Sequence, residues 1–351
     1  MTNFLRNEVK QGSREAGFLN DYSTQESSKI DMKLTGNFNV PREITLQGID
    51  LGKFLDSYPS EKLSNGLKQK LAKHLSISVD NLILGAGSNG IMQNLMRIFF
   101  KDKGELIVPK FSFAQPEYAV SALGGTVKQI EHNPDFTIDF QKINKVINKN
   151  TKAIFLCNPN NPTGIYENPQ NFIDLAKSTK LPVIVSEASI EYSQAKSLLD
   201  FELPKNLIVL RSFSKVYGLS GLRVGYAFMH KEFIDLYKAN TTQFEISALS
   251  LLIATKVVDD KSVIANIEKI KEQTSFLRDN LARLGIETTN SSSGCFMSTQ
   301  TYPDSFFDTL KANNVSVVKV ENGESGHYFR VAVQDQPTNI RFIKTMKECW
   351  R

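Results

Sequence analysis

Arg211-Ser212-Phe213-Ser214-Lys215-Val216-Tyr217-Gly218-Leu219-Ser220-Gly221-Leu222-Arg223-Val224-Gly225-Tyr226 sets one lysine behind two hydroxyls and eight residues before an arginine. The apolar run 206–210 reads as a strand and the glycines after Lys215 read as a turn. Lys215 is therefore expected at a strand end, where open α/β sheets meet their ligands. An amine held there can condense with an aldehyde. Ser212, Ser214 and Arg223 add hydroxyl and guanidinium donors suited to one phosphate. Alone, the stretch can also be read as a surface loop with an ordinary lysine.

Two further segments argue against the loop. Cys157-Asn158-Pro159-Asn160-Asn161-Pro162-Thr163-Gly164 follows the strand-like run 153–156 and reads as a proline-stiffened, asparagine-rich turn. Gly85-Ala86-Gly87-Ser88-Asn89-Gly90 lies between the strand-like run 82–84 and the helical pattern 91–100, so its N–H groups are placed to hold an anion at a helix start. Each is weak alone, since such residues often mark only a turn. An aldehyde that also carries a phosphate fits the lysine and its donors together, and pyridoxal 5'-phosphate is such a molecule.

In this order the motifs resemble the fold-type I pyridoxal-phosphate enzymes, the class I/II aminotransferase family, and within it the group that contains histidinol-phosphate aminotransferase. The likeness runs from about Leu34 to the C-terminus and includes Asn37, Tyr58-Pro59, Pro109-Lys110-Phe111 and Arg330. It implies an α/β, aspartate-aminotransferase-like fold: a mostly parallel central sheet flanked by helices, with a smaller α/β C-terminal domain. It implies that Lys215 forms the Schiff base with the cofactor and then carries the proton. It implies that Ala86, Gly87, Ser88, Ser212, Ser214 and Arg223 bind the cofactor phosphate, that Phe111 stacks on the ring and that Asn161 bonds the ring hydroxyl. Tyr58 would reach the neighbouring subunit's phosphate, which makes a homodimer with shared active sites the expected assembly. Arg330, in the alternating run 327–333, would grip a substrate carboxylate; as a bare pattern it also suits a surface ion pair. Asn37 would belong to the substrate loop, although its surroundings depart from the family's Asn-Glu-Asn-Pro.

The largest departure follows the strand-like run 183–185. The family has Asp-Glu-Ala-Tyr there; this chain has Ser186-Glu187-Ala188-Ser189. The family's aspartate favours a protonated ring nitrogen, which a serine cannot do. Losing a charge-assisted hydrogen bond costs about 1.5–3 kcal/mol, and it acts on rate more than on binding. Ser189 likewise lacks the phenol that the family aims at the ring hydroxyl. Glu245 and Cys295 stand where histidinol-phosphate enzymes carry asparagine.

These readings lead to an aminotransferase of a small amino acid or small phosphorylated amine, exchanging the amino group by a ping-pong course. The alternatives are a decarboxylase of a phosphorylated hydroxy-amino acid, which shares nearly every motif, and a catalytically weak pyridoxal-phosphate-binding protein, which Ser186 and Ser189 would suit.

The 351 residues are 41% hydrophobic, with apolar runs well short of the roughly 20 residues that span a bilayer. The polar start 1–12 lacks a secretory pattern, so a cytoplasmic protein is expected, with no membrane partner. Three scattered cysteines and four scattered histidines suggest neither disulfides nor a metal site. The net charge of +5 comes from interspersed lysines, which is a poor footprint for nucleic acid. Residues 1–49 are expected to form an arm joining the small domain, 50–246 the large cofactor-binding domain, and 247–351 a bridging helix and the small domain. Strands are expected at 295–297, 316–320 and 328–333, with one long helical stretch over 247–284.

Overall fold

The computed structural model describes residues 29–33, 48, 50–54, 58–193, 195–322 and 326–349. After β1 (Ile30–Asp31), seven strands form one sheet: β2 (Leu82–Ala86), β3 (Glu105–Pro109), β4 (Thr126–Ile130), β5 (Thr151–Cys157), β6 (Val183–Ser186), β7 (Leu207–Ser212) and β8 (Val224–Phe228). Their order across the sheet is β2-β8-β7-β6-β5-β3-β4. The central strands are apolar without alternation because helices cover both faces. Val183, Ile184 and Val185 are all fully buried, as are Ile208 and Val209. The edge strand β4 reads Thr-Val-Lys-Gln-Ile and keeps its polar residues in water, which blunts the edge.

The sheet is parallel except at β8, which runs antiparallel to both β2 and β7. The segment 213–223 that joins β7 to β8 holds no α-helix to carry the chain back across the sheet, so the chain turns and returns beside itself. Consequently the C-terminal ends of β2, β3, β5, β6 and β7, with the start of β8, all lie along one edge. Every strand-end motif singled out in the sequence lies on that edge.

The C-terminal part adds β9 (Cys295–Met297), β10 (Val315–Ser316), β11 (Val318–Glu321) and β12 (His327–Ala332). An antiparallel sheet forms in the order β11-β12-β9, while β10 pairs with β1 in parallel. The strand expected at 316–320 is thus divided at Val317. Ser316 is claimed by the N-terminal segment, since Met32 N–H donates to Ser316 O at 2.9 Å, and Val318 turns to β12. The long helix expected over 247–284 is likewise two helices, Ala248–Val257 and Lys261–Ala282. At the break Asp259 meets Lys70 at 3.4 Å and His74 at 3.1 Å on helix Glu61–Leu75, and Asp260 O accepts the Val263 N–H at 3.1 Å to start the next helix. Among the described residues no helix is long and apolar enough to cross a membrane.

Candidate active site

At the end of β2 the chain turns directly into helix Gly87–Phe99, and the position before it, Ala86, brings no side-chain cap. The first N–H groups of that helix are therefore left for an anion. Gly87 has φ +75°, and a Cβ there would lie 2.7 Å from Arg223 Nη2. A Cβ on Gly225 would lie 2.2 Å from Ser88 N, so β8 approaches the loop as closely as only glycine permits. Arg223 itself is left-handed at φ 53°. Its Nη1 donates to Ser220 O at 3.0 Å and to Ser214 Oγ at 3.4 Å, while Ser212 Oγ accepts the Ser214 N–H at 3.0 Å. Ala86, Gly87, Ser88, Ser212, Ser214 and Arg223 thus meet in one cradle of N–H, hydroxyl and guanidinium donors.

Lys215 follows at once, half-buried. Burial first, and then the positive charges of Arg330 and Arg223, push its pKa down to about 8 against an opposing pull from Cys295. Arg330 comes from β12 and is 6% exposed; its Nη1 donates to Lys33 O at 2.7 Å, which fixes one side of the guanidinium. Cys295 Sγ lies 3.5 Å from Ser293 Oγ. Burial raises this thiol's pKa, but Arg330, Ser293 and Lys215 outweigh it and leave it below the ordinary thiol value. The sheet edge and the C-terminal strands therefore bring an amine, a guanidinium and a thiol together.

Phe111, just past β3, is 7% exposed. It stacks on His132 with centroids 5.8 Å apart and rings 15° from parallel, and meets the edge of Tyr328 at 5.4 Å. Asn160 Nδ2 donates to Phe111 O at 2.8 Å, so the asparagine-rich turn holds the aromatic ring in place. Burial lowers the His132 pKa despite its backbone hydrogen bonds, which favours a neutral ring behind Phe111. Asn158 is occupied with Glu167, donating to its O at 3.0 Å and accepting its N–H at 2.9 Å. Asn161 is half-buried in the same turn.

Ser186 ends β6 beside Cys157 at the end of β5. The Cys157 thiol, pushed up to about 11 by burial, has the hydroxyls of Ser112 and Ser186 beside it. The adjacent Glu187 does not replace the missing aspartate. Its side chain is fully buried and faces inward, accepting from Arg211 Nη1 at 3.0 Å, Ser197 Oγ at 2.5 Å and Leu198 N at 2.8 Å. Arg211 also reaches Glu191 at 2.9 Å, which closes a buried ionic cluster under the site. Ser189 is half-buried at the start of helix Ile190–Ser193.

One expected residue is not gathered here. Tyr58 is 81% exposed and leans on Phe244 with centroids 5.0 Å apart. Asn37 lies outside the described residues. The site also contains parts that the sequence reading did not single out: the Lys33 carbonyl, His132, Asn160 and the Glu187–Arg211 pair. Only Asn160 carried a local signal, as a neighbour of Asn161 in the same turn.

A family model for aminotransferases of class I and II matches residues 31–344. The chain is 30% identical over 333 residues to a histidinol-phosphate aminotransferase of Desulfotalea psychrophila, covering 91% of this chain and 87% of that protein. Among solved structures it resembles a histidinol-phosphate aminotransferase from Sinorhizobium meliloti in complex with pyridoxal 5'-phosphate (TM-score 0.81, 18% identity, 92% of this chain and 90% of that one). It also resembles an L-threonine-O-3-phosphate decarboxylase from Porphyromonas gingivalis (TM-score 0.75, 22% identity, 91% of this chain and 98% of that one).

Proposed function

The chain belongs to the class I and II aminotransferase family, and from that premise we propose that it transfers the amino group of a small phosphorylated amine or amino acid, with Lys215 as tether and base. Its cofactor is pyridoxal 5'-phosphate. When bound, that group supplies an aldehyde that condenses with amines and a ring that accepts electrons from the substrate carbon. The donor set fits each part of it. The uncapped helix start with Ser212, Ser214 and Arg223 suits the phosphate, Phe111 is a flat apolar face for the ring, and Asn161 is a donor for the ring oxygen.

The observation that carries the reading is the placement of Lys215 between the donor cradle and buried Arg330, where burial and then the guanidinium charges lower its amine to about 8. An amine of that basicity is neutral in a usable fraction near neutral pH, so it can attack a carbonyl and later take a proton from the substrate carbon. Arg330, held by the Lys33 carbonyl, offers its guanidinium to a carboxylate or phosphate on the substrate. Ser186 offers a hydroxyl where a carboxylate would give more rate. The relatives named for histidinol phosphate support a phosphorylated substrate; Glu245 and Cys295 leave the rest of its shape open. We further propose a homodimer in the cytoplasm, with Tyr58 of each chain completing the partner's phosphate site, because Tyr58 and Phe244 form an exposed aromatic pair.

The test is a panel of donors with 2-oxoglutarate: histidinol phosphate, phosphoserine, phosphothreonine and common amino acids, followed by glutamate formation and by carbon dioxide release. Glutamate with a phosphorylated donor supports the proposal. Carbon dioxide without glutamate replaces it with decarboxylation, and a cofactor-loaded protein that makes neither product is a binding protein.

A further inference from the structure

The sheet β11-β12-β9 has two unlike faces, because successive side chains of a strand point to opposite sides. Phe296, Phe329 and Val331 enter the main apolar core of the molecule. Cys295, Met297, Val318, Val320, Tyr328 and Arg330 take the other side, and none of them belongs to that core. The register sets Arg330 between Val318 and Met297, and Tyr328 beside Val320. Among the described residues of these three strands, Arg330 is the only charged side chain on this face.

This face is turned to the active site. The ring of Tyr328, two residues before Arg330, meets the Phe111 ring edge-on at 5.4 Å. A third ring joins them from the loop after β4: Phe136 stands T-shaped to Tyr328 at 5.5 Å and lies 6.2 Å from Phe111. Tyr328, Phe136, Val318 and Val320 are each half-buried, so they keep surface with which to meet a ligand. Phe136 is also strained. Its φ of 65° is left-handed, which a bulky residue rarely adopts. The loop enforces it, since the Phe136 N–H donates to Asn133 O at 2.9 Å, the Asn133 N–H to Thr137 O at 3.0 Å and Thr137 Oγ1 to Asp135 Oδ1 at 2.6 Å. Backbone strain of this kind clusters at ligand sites.

We propose that Phe136 and Tyr328 are specificity-determining residues: with Val320 they form the pocket for the part of the substrate beyond its anionic group, and they select a flat hydrocarbon body there over a polar or charged one. The proposal deepens the aminotransferase reading above and rests on it. Arg330 takes the anionic group, a carboxylate or a phosphate. Tyr328 lies about 6–7 Å further along the strand, the span of a short carbon chain that ends in a ring.

The test is calorimetric binding to the cofactor-loaded full chain with two pairs of probes: 2-phenylethyl phosphate against ethyl phosphate, and 3-phenylpropionate against propionate. Each pair keeps one head group and changes only the body, and the tighter pair tells whether Arg330 serves a phosphate or a carboxylate. In that pair the phenyl compound should bind about ten- to a hundredfold more tightly than its partner, the gain from burying one ring. Phe136→Asn removes the ring and keeps a residue that tolerates the left-handed backbone; Tyr328→Ser removes the other ring. Each should cut the phenyl preference about tenfold, and because it is a ratio within one variant, a general loss of affinity does not imitate it. Equal affinities within both pairs in the wild type would overturn the proposal, and so would a preference that both variants keep. Equal affinities in a protein that does transfer amino groups would sink this proposal alone. A wild-type protein that shows no visible band with pyridoxal 5'-phosphate removes the aminotransferase reading, and this proposal with it, before any variant is made.

Discussion

Arg330 holds down the basicity of Lys215 across the site. The guanidinium is carried by β12 and the amine by the β7–β8 connection, and after burial the charge of Arg330 is the largest influence keeping the amine at about 8. Below that pH the amine is protonated and cannot attack an aldehyde; above it the amine is neutral. Uptake of pyridoxal 5'-phosphate by the cofactor-free protein should therefore quicken about tenfold from pH 7 to well above 8 and then level off. Arg330→Gln should move the midpoint upward, although burial will keep it below an ordinary lysine. The stability linkage has the matching sign. Between about 8 and the ordinary lysine value of 10.5 the unfolded chain holds more protons at this residue, so its contribution to stability rises with pH in that window. Stopped-flow absorbance gives the uptake rate, and a flat profile from pH 7 to 9 would contradict the shifted amine.

Under the proposed function, Ser186 sets a ceiling on rate. The adjacent carboxylate does not take its place, because Glu187 is turned inward to Arg211 at 3.0 Å. Ser186→Asp should stabilise a protonated ring nitrogen and raise amino transfer by about ten- to a hundredfold, the equivalent of about 1.5–3 kcal/mol. The same change puts a new charge beside buried Cys157, so the cofactor-free variant should melt below the wild type and regain more on cofactor addition. A rate that does not rise in a folded, cofactor-loaded variant would show that the hydroxyl already suffices.

The placement of Lys215, Asn161, Gly87 and Arg223 at strand ends along one sheet edge was legible in the sequence, because they lie in short local motifs where residue order and spacing are the structure. The mostly parallel sheet was legible for the same reason, from apolar runs alternating with helical patterns. What escaped the sequence depends on contacts between distant segments. The two-helix form of 247–284 depends on Asp259 meeting Lys70 and His74. The division at Val317 depends on Met32 claiming Ser316. Arg330 was expected at the site, but its support by the Lys33 carbonyl and its closeness to Cys295 and Lys215 are tertiary facts with no local signal.

The donor cradle proposed for the cofactor phosphate depends on a missing side chain. Gly87 is left-handed at φ +75°, and a Cβ there would press on Arg223 Nη2 at 2.7 Å. Gly87→Ala should strain the turn and displace the guanidinium, weakening cofactor affinity by about ten- to a hundredfold. Lys215 is untouched, so the remaining cofactor should still become fixed to the protein by borohydride reduction. Equilibrium dialysis measures the affinity, and wild-type affinity in Gly87→Ala would mean that the phosphate sits elsewhere.

The exposed pair Tyr58 and Phe244 leads to a test of shared sites that needs no structure of the dimer. If Tyr58 serves the partner's cofactor, Tyr58→Ala should weaken cofactor retention and cut activity by about tenfold, while Lys215→Ala should abolish activity. A mixed dimer of the two variants places both defects in one of its sites: the site built on the Lys215→Ala chain receives the altered Tyr58 from its partner. The other site then has its own Lys215 and an intact Tyr58 from the neighbouring chain. Co-expressing the variants with different tags and purifying the doubly tagged species should recover about half of the wild-type activity per dimer. Activity no higher than half that of Tyr58→Ala alone would mean that Tyr58 acts within its own chain, and a species that sediments as a monomer would remove the shared site altogether.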